Sequence, residues 1–172
     1  MVLLWKLLGC VLVAAAYGVG LWLRPFGVVT FLLGIPVCGW LAVLFHELGH
    51  LLAYRLLKLQ WKRMAVFCFL FEPGKPPRIQ QQGKLLASCT CAYDPQTPYG
   101  HYVIALLSGG AAGLLLAAVA ALLCRVTSGW LQAFCLCFAI ISCLDGLFNL
   151  VMPFSADRRL LKQIKQERQK AH

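Results

Sequence analysis

The sequence predicts an α-helical polytopic membrane protein, with about four transmembrane helices and a small membrane-associated β-hairpin between the second and third spans. Three observations predict it. The chain is 60% hydrophobic and only 13% charged, at a mean hydropathy of +0.75, whereas charged residues approach about a quarter of an ordinary soluble domain. Its apolar residues fall into runs at about 2–23, 26–57, 101–124 and 130–152, each at least as long as the roughly 20 residues that cross a bilayer. Sixteen Lys and Arg against six acidic residues lie mostly between and after those runs. Nucleic acid is the other usual partner of a basic chain, but this distribution is the one expected of loops on the cytosolic face of a membrane, and no nucleic-acid role is expected. A length of 172 residues gives one membrane domain, 1–162, with no room for a second folded module, and a basic cytosolic tail, 163–172.

The first run is interrupted only by Lys6, and Trp5 and Trp22 stand near its ends as interfacial aromatics do. A signal peptide with Ala14-Ala15-Ala16 as a weak cleavage region is the rival reading. The apolar stretch runs on to Leu23 before Arg24-Pro25 ends it, which favours a retained span.

The second run holds Leu44-Phe45-His46-Glu47-Leu48-Gly49-His50-Leu51-Leu52-Ala53. On a helix, residues four apart share a face, so His46 and His50 can bind one Zn²⁺ through their ring nitrogens. Glu47 lies beside that face, where it can serve a water as general base. From Phe26 to Phe45 there is no charge, and the water interface is marked by Arg55, Lys58, Lys62 and Arg63. Counting back from Lys58, the motif lies on the order of 12–18 Å below the surface at about 1.5 Å per residue. A metal site at that depth points to hydrolysis inside the membrane. Gly34 and Pro36, in the outer half of this helix, mark either a tolerated proline or a bend that opens a path for water or substrate.

Residues 58–99 are the one long polar segment. Met64 to Phe71 reads as a strand, Glu72 to Arg78 as a loop, and Gly83 to Tyr93 as a returning strand in which Ser88 and Thr90 alternate with Cys89 and Cys91. The free edge of such a hairpin can pair with an extended substrate segment. The third run opens with Ser108-Gly109-Gly110-Ala111-Ala112-Gly113, where Gly109 and Gly113 allow close helix approach. His101, at its start, is within reach of the site in principle. The fourth run carries Asp145 and Asn149 and is broken by Pro153. The tail from Asp157 is amphipathic and basic, suited to an anionic membrane surface.

Of nine cysteines, six lie in apolar runs and read as small core residues, while Cys89-x-Cys91 is a weak metal signal without a partner pair. The odd count argues against a disulfide framework and suits a reducing cytosolic face. Arg55, Lys58, Lys62, Arg63, Lys75, Arg78 and Lys84 follow the second run, and six more basic residues lie in the tail. Four spans with both termini and the long loop in the cytosol satisfy every segment, most simply in the plasma membrane.

On three features the chain resembles the site-2 protease family of intramembrane zinc metalloproteases. These are His46-Glu47-Leu48-Gly49-His50 on a span, the Ser108–Gly113 stretch opening the next span, and Asn149-Leu150-Val151-Met152-Pro153-Phe154-Ser155-Ala156-Asp157. The family typically shows Asn, then Pro, then Asp-Gly, with Asn and Asp eight apart, as Asn149 and Asp157 are. Arg158 stands in place of the family's Gly, and the middle stretch has neither the family's Pro nor its Asn. The resemblance covers about residues 30–162. It implies that His46, His50 and Asp157 are the zinc ligands, that Glu47 is the base and that Asn149 binds the substrate backbone or the developing oxyanion. Leu144-Asp145-Gly146 also reads as the Leu-Asp-Gly of many members, so Asp145 is a second candidate ligand. A straight fourth helix would put Asp145 at the depth of the histidines, and Asp157 reaches them only if residues 150–157 unwind and run back along the site. The implied activity is a zinc metalloendopeptidase acting on membrane proteins at or near a transmembrane segment, in the manner of regulated intramembrane proteolysis. The alternative is a catalytically inactive relative serving as a membrane scaffold or chaperone.

Overall fold

A computed structural model of the chain describes residues 2–67, 69–79, 87–152 and 155–170. The first four residues of the expected returning strand, Lys84 among them, and Pro153 therefore lie outside the described residues. Among the described residues, five helices and four strands follow in order: α1 (Val2–Leu23), α2 (Val28–Leu56), β1 (Trp61–Val66), β2 (Phe69–Phe71), β3 (Arg78–Ile79), β4 (Ala87–Cys91), α3 (Tyr99–Val126), α4 (Gly129–Val151) and α5 (Ala156–Lys170). The chain is mostly helical with a small antiparallel sheet. Among the described residues, three helical segments are long and apolar enough to cross a membrane: α2, α3 and the segment that begins with α4. In α1 the apolar helix Leu7–Leu23 is shorter. Leu12, Leu32, Leu115, Leu122 and Val151 are all more than half exposed, an apolar surface that water would penalise and lipid would not.

Two compact units divide the chain. One comprises residues 1–42 and 113–144. Its core is Tyr17, Leu21, Cys38, Ala42, Ala120, Cys137 and Phe138 with neighbouring alanines. Thr30 donates its hydroxyl to the Arg24 carbonyl at 2.8 Å and so closes the turn between α1 and α2. Helix α2 runs unbroken through Pro36. Gly34 is a packing residue, since a Cβ there would stand 2.9 Å from both Cys137 Sγ and Tyr17 Cε2.

The other unit comprises residues 43–112 and 145–172. Its sheet has the order β3-β2-β1-β4, all neighbours antiparallel, with Met64 opposite Cys89 and Val66 opposite Ala87. β1 pairs with β4, but β2 and β3 lie between them in the chain, so the observed element is a four-stranded sheet rather than the single hairpin of Met64–Phe71 with Gly83–Tyr93 expected from sequence. The single strand expected over Met64–Phe71 is instead two strands, because Phe67 takes a left-handed φ of 56° and reverses the chain. Alternation and β-propensity do not register such a reversal when no Gly, Asn or Pro marks it. Met64, Val66 and Cys89 are buried with Ala53, Tyr54, Leu59, Tyr102, Leu106 and Ile164. Burial pushes the Cys89 thiol up to about 12, so it is a protonated core residue at neutral pH.

Helix α5 begins at Ala156 and continues past residue 162, and its Leu160, Leu161 and Ile164 pack into this same core. Its apolar face is therefore taken up by protein, and the face left outward is the basic one of Arg159, Lys162 and Lys165.

Helix α2 ends in a Schellman turn. Leu59 N–H donates to Tyr54 O at 2.8 Å and Lys58 N–H to Arg55 O at 3.2 Å, with buried Leu59 as the apolar clasp. The left-handed position of this turn, usually glycine, is Lys58, at φ 57°. Replacing Lys58 with Gly removes the steric cost of that conformation, partly offset by glycine's greater unfolded-state freedom, for a net gain of about 0.5–1 kcal/mol. Lys58→Gly is accordingly expected to raise the thermal midpoint of the detergent-solubilised protein, while Lys58→Ala leaves it near the wild type.

Candidate metal centre

His46 and His50 stand one turn apart on α2 within an apolar stretch, and both are buried. Their Nε2 atoms point at each other at 3.1 Å. Asp157, in the first turn of α5, reaches the same point: its Oδ2 lies 3.3 Å from His46 Nε2 and its Oδ1 3.3 Å from His50 Nε2. One ligand atom from each residue falls within 4.8 Å of the others, so the group can hold a metal ion. In a tetrahedral site with metal–nitrogen distances of about 2.0–2.1 Å, neighbouring donors stand about 3.3–3.4 Å apart, so the observed triangle already has close to the required edges.

The other nitrogen of each ring says where the protons are. His50 Nδ1 lies 2.8 Å from the Ala105 carbonyl, which can only accept. Nδ1 therefore carries the proton, and in the neutral ring Nε2 presents its lone pair. His46 Nδ1 lies 3.1 Å from Asp145 Oδ2, which sets the same tautomer. With both rings neutral, two lone pairs and the Asp157 carboxylate converge on one point. Asp157 Oδ2 is buried without a hydrogen-bond donor, as this predicts. Glu47 completes the picture: it is buried, and its Oε2 has no hydrogen-bond partner among the described residues. A cation at the centre answers the two ring nitrogens and Asp157 at once.

Small residues make the approach possible. A Cβ on Gly49 would stand 2.8 Å from the Ala112 methyl and 2.9 Å from the Ser108 carbonyl, so glycine is required where α2 meets α3. Ser108 Oγ donates to the Ala105 carbonyl at 2.6 Å, with the Gly49 carbonyl a second acceptor at 3.1 Å. Gly110 does the same for α4, where a Cβ would stand 2.7 Å from Leu150 Cγ. Gly109 faces the histidines: a Cβ there would lie 2.5 Å from His50 Nε2 and 2.7 Å from His46 Nε2. Tyr54, four residues past His50 and fully buried, stacks parallel to the His50 ring and donates its hydroxyl to the Cys89 carbonyl at 3.3 Å.

Asp157 arrives through a short break between α4 and α5. The sequence reading required residues 150–157 to unwind, but α4 stays helical to Val151 and α5 starts at Ala156. The freed carbonyls at the end of α4 are satisfied locally. Arg158 donates its guanidinium to the Leu150 carbonyl, and Ser155 Oγ donates to the Asn149 carbonyl at 3.3 Å. Ser155 Oγ also accepts the Arg158 N–H at 3.4 Å, capping α5. Arg158, which stands where the resembled family has glycine, is thus the residue that ties the break.

Of the residues singled out from sequence, the structure brings together His46, His50 and Asp157, with Glu47 buried next to His46 on α2. It places Asp145 on the far side of His46, against Nδ1 and away from the Nε2 atoms. Asn149 donates its Nδ2 to the Asp145 carbonyl at 3.0 Å and to Asp145 Oδ1 at 3.1 Å. His101 sits in the first turn of α3 and is not a member of the His46, His50 and Asp157 group. Cys89 and Cys91 are free thiols on β4. Sequence reasoning missed Tyr54 and the Ala105 carbonyl, and named Gly109 and Arg158 without their roles at the site. Only Tyr54 carried a signal, its spacing of four from His50. No protein-family model, no curated protein and no solved structure matches the chain.

Proposed function

We propose that the chain is a zinc metalloendopeptidase of the site-2 protease type, hydrolysing peptide bonds in or near the transmembrane segments of other membrane proteins. The observation that carries this reading is the convergence of His46 Nε2, His50 Nε2 and the Asp157 carboxylate, with the neighbouring residue Glu47 buried and its Oε2 without a hydrogen-bond partner among the described residues. Ionisable groups buried on apolar helices are costly and functional by default. Two imidazoles and one carboxylate are a catalytic zinc set, which leaves a fourth position open. Zinc, when bound there, supplies a Lewis acid for the scissile carbonyl.

The chain's own residues do the rest. His46, His50 and Asp157 hold the ion. Glu47 takes a proton from the attacking water as the carbon–oxygen bond forms, and returns it to the amide nitrogen as the carbon–nitrogen bond breaks. A substrate helix must unwind to offer its carbonyl, and β4, an outer strand of the sheet, offers an edge on which the unwound segment can pair. In this reading α1 is a fourth span, both termini and the 58–99 segment lie in the cytosol, and the host membrane is the plasma membrane. Ser108–Gly113, without the Pro and Asn of the resembled family, is the feature that favours an inactive scaffold or chaperone instead.

The test is zinc content together with cleavage of a tagged model transmembrane substrate in proteoliposomes. Wild type is expected to hold about one zinc per chain, as a single three-ligand site does, and to cut the substrate. Asp157→Ala is expected to lose both. One zinc with no cleavage of any helix-destabilised substrate would favour the scaffold, and no zinc uptake would sink the protease reading.

A further inference from the structure

Asp145 is an acidic residue on an apolar helix, and the proposed chemistry gives it no task. Its surroundings do. Oδ2 faces His46 Nδ1 at 3.1 Å, and Oδ1 accepts from Asn149 Nδ2 at 3.1 Å. The same Asn149 amide also reaches the Asp145 carbonyl one helical turn back, at 3.0 Å, so it is held at two points. Ser155 donates to the Asn149 carbonyl at 3.3 Å, which links this chain of contacts to the break that delivers Asp157. Each member is partnered: Asn149 fixes Asp145, Asp145 fixes His46, and His46 turns Nε2 to the centre. His50 has a backbone carbonyl for the same purpose. His46 alone depends on a side chain.

We infer that Asp145 and Asn149 are positioning residues that lock His46 in the Nδ1–H tautomer and hold its Nε2 toward the metal. The inference rests on the metal site proposed above. A partner of this kind orients the ring and raises its basicity, and removing it typically costs about 10–100-fold in metal affinity. Asp145 is then not a ligand, and Asn149 acts through Asp145.

The test is a chelator competition for zinc on the full chain, with the Co²⁺-loaded absorption spectrum as a second readout. Asp145→Ala is expected to weaken zinc by about 10–100-fold, to keep a stoichiometry near one, and to shift the Co²⁺ bands as the ring reorients. Asp145→Asn keeps a neutral acceptor for His46 Nδ1–H and is expected to fall between wild type and Ala. Asn149→Ala is expected to weaken zinc less than Asp145→Ala, and the double variant no more than Asp145→Ala alone. Loss of all zinc in Asp145→Asn while Asp157→Asn keeps it would overturn the inference by making Asp145 the ligand. Unchanged affinity and spectrum in Asp145→Ala, even with a lower thermal midpoint, would overturn it too and leave the metal site standing. If wild type itself takes up neither zinc nor Co²⁺, the metal site fails and the positioning role falls with it.

Discussion

Gly109→Ala is expected to abolish zinc binding in a protein that otherwise folds. A Cβ at this position would lie 2.5 and 2.7 Å from the two Nε2 atoms, in the space that an ion shared by His50 and His46 must use. No small adjustment of one ring clears a methyl from both nitrogens, because each ring is held from behind, His50 by the Ala105 carbonyl and His46 by Asp145. The zinc content is expected to fall from about one per chain to below about a tenth. Three controls separate this from general damage. Alanine is the better helix former by about 1 kcal/mol, so α3 itself is not weakened. Gly100, earlier on the same helix, has nothing within 4 Å of a Cβ, and Gly100→Ala is expected to keep full zinc. Gly110→Ala meets Leu150 Cγ at 2.7 Å and the Gly146 carbonyl at 3.1 Å, so its expected defect is in packing, read as a lower thermal midpoint. A Gly109→Ala protein with wild-type zinc affinity would mean that the ion, if any, does not sit between the two histidines.

Gly109 also shows where sequence reading stopped. A glycine pair spaced by four predicts that two helices come close, and at Gly109 they do, but the spacing cannot say that this glycine faces imidazoles while its neighbour Gly110 faces α4. That depends on the rotation of three helices about one another, which the apolar pattern leaves open on helices apolar all round. His46, Glu47 and His50 were legible because their geometry is internal to one helix turn. Asp157 was legible only through its spacing from Asn149 in the resembled family, since depth alone favoured Asp145. The structure reconciles the two: both carboxylates reach His46, one on each ring nitrogen. The apolar stripe of α5 was legible as a stripe, but amphipathicity does not distinguish a lipid surface from a protein core. Ile164, buried beside Tyr54 and Met64, marks the second. The extra turn at Phe67 left no mark in the sequence at all.

Glu47→Gln is expected to keep the metal and lose the reaction. Glu47 is outside the three-donor triangle, so replacing its carboxylate with an isosteric amide leaves His46, His50 and Asp157 as they are, and zinc content is expected to stay near one per chain. What goes is the proton acceptor. Glu47 is buried, and its Oε2 has no donor to neutralise it among the described residues, so it is free to take a proton from water and to hand it on. An amide does neither. Both halves of the reaction use the same carboxylate, and general acid–base catalysis is worth about 10²–10⁴-fold, so cleavage is expected to drop by at least about 10²-fold. Glu47→Asp retains the acid but withdraws it by one methylene, and is expected to fall between the two. The pair of readouts distinguishes the roles that a buried glutamate can play. If Glu47→Gln lost zinc along with cleavage, Glu47 would be a ligand or a folding residue. If it kept zinc and cut as fast as wild type, the proton would be moving through another group, and the assignment of Glu47 as base would be wrong.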